Sequence, residues 1–119
     1  MSWLPGTPEL APAAYERFRA LYDGLWRGGM DAGVLELCRA RIGALVRAER
    51  SPIDWSELDD AQRAALAFAE QYVLDPHGLR DSDFAALHAH FEPPEIATLV
   101  LAVAMFDARS RFECALEVS

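Results

Sequence analysis

Residues 59–78 of this chain read DDAQRAALAFAEQYVLDPHG and carry a helix-start signal at one end and a turn signal at the other. Asp59 is followed three residues later by Gln62, a spacing that predicts a capping box at the start of a helix. The segment behind it is rich in alanine and leucine, which favour helix, and residues 75–78, Asp-Pro-His-Gly, have the composition of a turn. We therefore expect a helix from Asp60 to about Leu74. The residues expected on its inward face are Leu66, Ala69, Tyr72 and Val73.

The remaining segments also indicate helices, because none of them combines strict alternation with residues that favour strands. Asp31 is a plausible N-cap for a second helix that Ser51-Pro52 would end, and Asp81 is a plausible N-cap for a short helix. Pro93 and Pro94 suit the first turn of a last helix. The predicted fold class is an all-α bundle of about five to six helices. The other expected helices cover about 12–26, 32–50, 81–91 and 93–117.

The composition of the chain excludes several classes of protein. With 119 residues and 13.2 kDa it fits one domain, and 52% hydrophobic against 25% charged residues permits a buried core. Arginine supplies all 11 basic residues against 19 acidic ones, for a net charge of −8 and a pI near 4.7. Nucleic acid is a poor partner for such a chain, since its phosphates bind clustered lysine and arginine.

Nothing in the sequence predicts export or a membrane anchor. Residues 1–12 contain no basic stretch followed by an apolar run, so no secretory signal is indicated. The longest apolar stretch, residues 96–106, is shorter than the roughly 20 residues that span a bilayer. Cys38 and Cys114 match no CxxC or zinc spacing, which indicates free thiols and a cytoplasmic location. The apolar stretch is hydrophobic nearly all round its helix, which favours a homo-oligomer.

Three segments together resemble the carboxymuconolactone decarboxylase and alkylhydroperoxidase D-like (AhpD-like) family of small helical proteins. The first, residues 35–45, reads LELCRARIGAL and looks like the family's glutamate-bearing helix. The second, residues 60–78, looks like its alanine-rich helix, and the third, residues 95–116, looks like its long last helix. The resemblance covers about residues 32–119 and implies a single AhpD-like domain.

The resemblance also implies what is missing. In redox-active members a glutamate is followed twelve residues later by a cysteine, then by a second cysteine and a histidine. The same offsets from Glu36 fall on Ala48, Ser51 and Trp55, which supply neither thiol nor imidazole. Family members also have an additional helix after the cysteine pair, and this chain is shorter there. Thiol peroxidase chemistry needs a reactive thiolate and a resolving thiol, so we expect this motif to be degenerate.

Glu36 is the candidate catalytic residue. Apolar neighbours flank it on its helix, and burial would raise the pKa of its carboxyl toward a value that suits proton transfer. Arg39 and Arg41 are candidates to hold a ligand carboxylate, because guanidinium binds carboxylates in a bidentate manner. The alternative is that Glu36 simply forms an ion pair, either with Arg39, three residues away on the same face, or with an arginine from another helix.

Other polar residues have weaker patterns. His88 and His90 are two apart on a predicted helix and point in different directions, so no metal site is expected, and no cofactor is indicated. His77 belongs to the Asp-Pro-His-Gly turn. Arg109, with Asp107 and Arg111, could line a pocket or interface, although a solvated or interface salt bridge is the simpler interpretation.

The sequence thus leads to one functional hypothesis and three alternatives. The leading hypothesis is an AhpD-like oligomer without the cysteine pair, which acts as a binding or accessory protein for an unidentified small molecule. The enzymatic alternative is non-redox proton transfer through Glu36 on a small acid or lactone. The others are a module that docks a different protein and a residual peroxiredoxin-type activity.

Overall fold

The computed structural model describes residues 11–51 and 53–118, and every regular element in this part of the chain is helical. The signal-peptide expectation for residues 1–12 and the helix break expected at Pro52 fall largely on residues outside it. Two short 3-10 segments, Trp55–Glu57 and Pro76–Gly78, connect the longer helices. The α-helices are α1 (Pro12–Leu25), α2 (Ala32–Val46), α3 (Asp60–Leu74), α4 (Asp81–His88) and α5 (Pro93–Val118).

Helix α2 lies at the centre of the bundle, packed against α3 on one side and α5 on the other. Helix α1 packs on α5, and the short α4 fills the angle between α3 and α5. One hydrophobic core joins all five helices, and aromatic rings from α1 and α5 meet there. The largest side chains that are fully buried in it are Phe106, Leu35, Ile42, Leu66, Leu87 and Leu99.

Helix α3 has the bounds that its capping chemistry predicts. The Asp59 carboxylate accepts a 2.7 Å hydrogen bond from the backbone N–H of Gln62. The side-chain oxygen of Gln62 accepts one of 2.9 Å from the backbone N–H of Asp59. Leu66 and Ala69 are fully buried, and the other two inward residues pack partly buried against the core. The capping box and the turn at Pro76 thus delimit this helix.

Helix α2 begins as expected, with the Asp31 carboxylate accepting from the Gly33 amide, but ends at Val46 and not near Arg50. Ala48 takes a left-handed conformation with φ of 56°. The amide of the next residue, Glu49, donates a 2.8 Å hydrogen bond back to the carbonyl of Ala44. This is a Schellman closure, which terminates the helix before any proline is reached.

Helix α4 differs from its prediction at both ends. The expectation that Asp81 caps it is wrong: Arg80 is the N-cap and Asp81 is the first helical residue. The Asp83 carboxylate accepts a 2.8 Å hydrogen bond from the Arg80 amide, as acidic residues in a first turn favour. The helix ends at His88, before Phe91.

Helix α5 starts at Pro93, as predicted, and the Glu95 carboxylate accepts a hydrogen bond from the Glu92 amide just before it. One side of this helix lies in the core, while Leu101 and Phe112 are exposed. None of the helices in the described part of the chain is long and apolar enough to cross a membrane.

Candidate functional site

Three arginine side chains converge on a cavity of about 110 Å³ between α1, α2 and α5. Arg39 lies on α2, Arg47 is the C-cap residue of α2, and Arg109 lies on α5. We call the cavity lined by these three residues the arginine pocket. The rest of its lining consists of Tyr22, Gly43, Phe106, Ser110 and Glu113.

Helical spacing explains why α2 presents its residues to this cavity together. Arg39, Gly43 and Arg47 follow one another at intervals of four, which places them on one face of a helix. On the opposite wall, Arg109 and Glu113 are also four residues apart. The pocket is therefore formed by two facing helix surfaces, with the Tyr22 side chain of α1 as the third wall.

Glu113 joins two of the arginines. Its carboxylate accepts a 2.8 Å hydrogen bond from Nε of Arg109 and a 3.4 Å hydrogen bond from Nη2 of Arg47. All three side chains are partly buried, so the charges are only partly screened by water. One carboxylate thus accepts hydrogen bonds from two guanidinium groups that line the same cavity.

Tyr22 holds Arg109 from the side of α1. Its hydroxyl oxygen accepts a 2.7 Å hydrogen bond from Nη1 of Arg109, and the guanidinium carbon lies 5.0 Å from the centre of the ring. The ring itself is buried and packs edge-on against Phe106. The Arg109 guanidinium is therefore fixed by contacts to two helices.

The electrostatic character of the pocket is opposite to that of the whole chain. Its lining carries three guanidinium groups and one carboxylate, in a chain with a net charge of −8. Guanidinium groups bind carboxylate and phosphate oxygens with paired hydrogen bonds. The arrangement is suited to holding a small anion.

Glu36 lies at the outer side of Arg39. Its side chain is 55% exposed and accepts a 2.9 Å hydrogen bond from Nε of Arg39 and a second bond from Nη2. The bond from Arg39 lowers the pKa of the Glu36 carboxyl. The structure thus contains the ion pair that the spacing allowed. The burial that raises the pKa of this carboxyl is outweighed by the hydrogen bond from Arg39, and a catalytic role for Glu36 stays a prediction.

The structure separates the two predicted anion-binding arginines. Arg39 lines the arginine pocket, whereas Arg41 pairs with Glu70 of α3 through hydrogen bonds of 2.9 and 2.6 Å. This second pair is 18% and 23% exposed and ties α2 to α3. Arg41 therefore does not line the arginine pocket, and its role in holding a ligand carboxylate stays a prediction.

The three positions of the degenerate motif have local structural contacts. Ala48 forms the left-handed turn after α2, and the Ser51 hydroxyl accepts a 3.2 Å hydrogen bond from the Ile53 amide. Trp55 packs its ring against the core while its carbonyl accepts from Nε of Arg63. That these positions correspond to the family's motif stays a prediction.

The two cysteines are free and differ in environment. Cys38 is fully buried in the core, and this burial raises the pKa of its thiol to about 12. Cys114, on α5, is partly exposed. A nucleophilic thiol requires a lowered pKa and access to its substrate, and Cys38 has neither.

The histidines lie at the surface, on exposed positions in or next to α4 and in the 3-10 segment before it. No group of three or more His, Cys, Asp or Glu residues in the described ranges is placed to hold a metal ion. Asp107 pairs with Arg111 at 2.8 Å, as the simpler interpretation of that segment predicts, while Arg109 lines the pocket.

Sequence reasoning missed Arg47, Gly43 and Glu113 as parts of one site. The interval of four from Arg39 to Gly43 to Arg47 was a usable signal on α2. The partners on α1 and α5 had none, because Tyr22 and Arg109 are 87 residues apart in the chain.

No protein-family model matches the chain, and no curated protein matches it. The residues that line the arginine pocket are therefore the basis for a functional assignment.

Proposed function

We propose that this chain is a binding protein that holds a small organic anion in the arginine pocket and carries out no thiol redox chemistry. The observation that supports this most directly is the convergence of Arg39, Arg47 and Arg109 on one cavity. Guanidinium groups that line one cavity repel one another, and Glu113 accepts hydrogen bonds from two of them. A bound anion would reduce this repulsion further.

The size of the cavity limits the ligand. Liquid water takes about 30 Å³ per molecule. A cavity of about 110 Å³ thus has room for an anionic group of only a few non-hydrogen atoms. Arg39 is partly exposed at the mouth, so a larger molecule could present such a group from outside.

The resemblance to AhpD-like proteins supports a scaffold that has kept its helices and lost its sulfur chemistry. Ala48, Ser51 and Trp55 occupy the motif offsets, and the pKa of the one fully buried thiol, Cys38, is raised to about 12. We assign the chain to this family as a redox-inactive member, which is consistent with a binding or accessory role.

We further propose that the chain forms a homo-oligomer and resides in the cytoplasm. Leu21 on α1 and Leu101 on α5 are large hydrophobic residues left exposed, and both line a shallow apolar depression between these helices. Two free thiols are consistent with a reducing compartment. Light scattering of the purified chain measures the subunit number, and a monomer at all concentrations would refute the oligomer.

Calorimetric titration with small anions tests the binding function. We expect saturable binding to the wild-type chain and a loss of about tenfold or more in affinity for Arg47→Gln and for Arg109→Gln, because each removes a charge-assisted contact. Arg111→Gln is the matched control, since this arginine lies on the same helix and pairs with Asp107. Absence of saturable binding, or equal losses in the control, would refute the proposal.

A hydroperoxide assay tests the redox part separately. We expect no reductant-dependent turnover above background. Turnover that disappears in a Cys38→Ser or Cys114→Ser variant would instead establish the residual peroxiredoxin-type alternative.

Proton transfer through Glu36 is a second candidate function, because this carboxylate binds the same Arg39 that lines the pocket. With a lowered pKa it would act as a base and not as an acid. A Glu36→Gln variant that turns over every substrate at the wild-type rate would eliminate it.

A further inference from the structure

Resting on the proposed homo-oligomer, we infer that the exposed side of α5 binds the same side of α5 in a second copy of this chain. The two helices run antiparallel about a two-fold axis near position 106. In this pairing Phe112 of each copy enters the apolar depression between α1 and α5 of the other copy.

The exposed side of α5 is apolar over about five helical turns. Ala97 and Ala115 are eighteen residues apart, which is about five turns, and Leu101 and Phe112 are eleven apart, which is about three turns. Leu101 and Phe112 are large hydrophobic residues that are 44% and 43% exposed. An apolar surface of this extent favours burial against another molecule. Its exposed or partly exposed apolar residues are Ala97, Leu101, Ala104, Ala108, Phe112 and Ala115.

These residues are spaced so that the surface is complementary to itself. The pairs 97 and 115, 101 and 112, and 104 and 108 share one midpoint, near position 106. A two-fold axis through that point, with the helices antiparallel, places each member of a pair opposite the other member in the second copy. Leu101 then faces Phe112 of the other copy. Ala104 faces Ala108, and these small side chains let the two helices approach closely.

The depression between α1 and α5 lies where Phe112 of the second copy arrives. It has a volume of about 370 Å³, and Leu21 and Gly24 of α1 line it together with Ala97 and Leu101 of α5. Phe112 and Leu101 lie on the same side of α5 and at equal distances from the axis, so the ring of one copy meets the Leu101 wall of the other. The contact thus covers the large hydrophobic residues that α1 and α5 leave exposed in one copy.

The charges near the axis do not oppose this contact. A two-fold axis brings a residue beside it close to its own counterpart, so an uncompensated charge there would face a like charge. Among the described residues on the exposed side of α5, Arg111 alone is charged, and its Nε donates a 2.8 Å hydrogen bond to Asp107. Asp107 lies next to the midpoint and comes to the axis with its charge compensated. The contact surface is therefore neutral in a chain with a net charge of −8.

The area of this surface reaches what a specific dimer needs. At about 1.5 Å per residue, residues 97–115 of α5 extend about 27 Å and α1 extends about 21 Å. With helices about 10 Å wide, the outer sides of both give a footprint of about 500 Å² on each copy. The total of about 1,000 Å² for two copies is at the lower limit for specific interfaces. We therefore expect a dimer in equilibrium with the monomer.

Sedimentation velocity over a range of protein concentrations tests the interface. We expect Phe112→Ser and Leu101→Ser each to raise the dissociation constant of the dimer about tenfold or more, because each substitution removes apolar contact area twice. Leu74→Ser is the matched control, since Leu74 is a large hydrophobic residue, 67% exposed, that belongs to α3. Equal effects of Leu74→Ser and Phe112→Ser would overturn the inference.

Ala108→Arg and Ala108→Glu test the two-fold axis. Position 108 lies two residues from the midpoint, so either variant alone brings like charges together across the axis, and we expect monomers. An equimolar mixture of the two variants brings opposite charges together, and we expect the dimer to return. Ala67→Arg, at an exposed position of α3, is the control and should leave the dimer unchanged. A mixture that stays monomeric would overturn the two-fold pairing.

The outcomes separate this inference from the proposed oligomer. If the oligomer persists unchanged in Phe112→Ser and Ala108→Arg, this interface is refuted and the homo-oligomer remains. An odd number of subunits in the wild type would likewise refute the two-fold pairing alone. A wild-type chain that is monomeric at every concentration refutes both.

Discussion

The Nη1 atom of Arg109 donates a 2.7 Å hydrogen bond to the hydroxyl oxygen of Tyr22, and this bond connects α5 to α1 at the wall of the arginine pocket. Because the Tyr22 ring is buried, its hydroxyl is held by packing and in turn holds the guanidinium. The contact thus links the hydrophobic core to the position of a charged group in the pocket.

Tyr22→Phe removes this hydrogen bond and keeps the ring. We expect a loss of about 1 to 2 kcal/mol in the free energy of unfolding, the range for a hydrogen bond to a charged group, and weaker anion binding. Tyr15→Phe is the control, because the Tyr15 hydroxyl accepts a similar bond from Arg19 at an exposed site and should matter little. Urea denaturation measures the unfolding free energy of both variants, and equal losses for the two substitutions would contradict the prediction.

Ala48→Gly should stabilise the protein. Ala48 has a φ of 56°, a left-handed conformation that costs a residue with a Cβ about 1 to 2 kcal/mol and glycine almost nothing. After the greater freedom of glycine in the unfolded chain is subtracted, we expect a gain of about 0.5 to 1 kcal/mol. Ala67→Gly, at an exposed position inside α3, should instead cost about 1 kcal/mol. Thermal melts compare the two, and a lower melting temperature for Ala48→Gly would be the contrary result.

The ion pairs of Arg41 and Arg39 should differ in strength. Glu70→Gln leaves Arg41 partly buried without its carboxylate, and we expect a cost of about 1 to 2 kcal/mol. Glu36→Gln removes an exposed pair, which water screens, so we expect about 0.5 kcal/mol or less. Double-mutant cycles with Arg41→Gln and Arg39→Gln measure each coupling, and a stronger coupling for the exposed pair would refute this ranking.

The Glu36 pair also has a defined pH dependence. The folded pKa of Glu36 is lowered from its usual 4.5, so the unfolded chain binds the proton more readily. The stabilisation is therefore fully present above about pH 4.5 and is lost as the pH falls through the folded pKa. The difference in unfolding free energy between wild type and Glu36→Gln should disappear in acid, and a difference that grows in acid would refute the lowered pKa.

Cys38 should resist alkylation in the folded protein. With a pKa of about 12, only about one thiol in 10⁴ is ionised near pH 8, and the side chain is fully buried. We expect iodoacetamide to label Cys114 in the native state and Cys38 only after denaturation, as read by mass spectrometry of peptides. Comparable labelling rates for both cysteines in native protein would contradict the burial of Cys38.

Burial raises the pKa of the Cys38 thiol from its usual 9.0. The stability gained by burying the neutral thiol is therefore present below about pH 9. It is lost as the pH rises toward 12, since the unfolded chain then releases the proton first. Cys38→Ala should therefore reduce the alkaline decline of stability between these values.

Local chemistry made much of the fold predictable. The capping box of Asp59 with Gln62 and the prolines at the start of α5 act within a few residues, so their helices have the expected bounds. The end of α2 was predicted too late, because an alanine takes the left-handed position where glycine is the usual signal. The cap of α4 was misplaced by one residue, because the Asp83 carboxylate accepts from the Arg80 amide and so makes Arg80 the N-cap.

The candidate site was only partly predictable. Arg39 was proposed because guanidinium suits carboxylates, and Arg109 was named as a residue that could line a pocket or interface. Their meeting in one cavity depends on how α5 packs. Tyr22 and Glu113 reach the site through contacts between residues far apart in the chain, and no local pattern signals such contacts.

Cys38 lies on α2 and is fully buried in the core, so its thiol can report on opening of the native structure. A thiol reagent reaches the sulfur only when α2 separates from its neighbours, and each labelled molecule has therefore opened at least once. The labelling rate of Cys38 is thus a measure of how often the helical bundle opens.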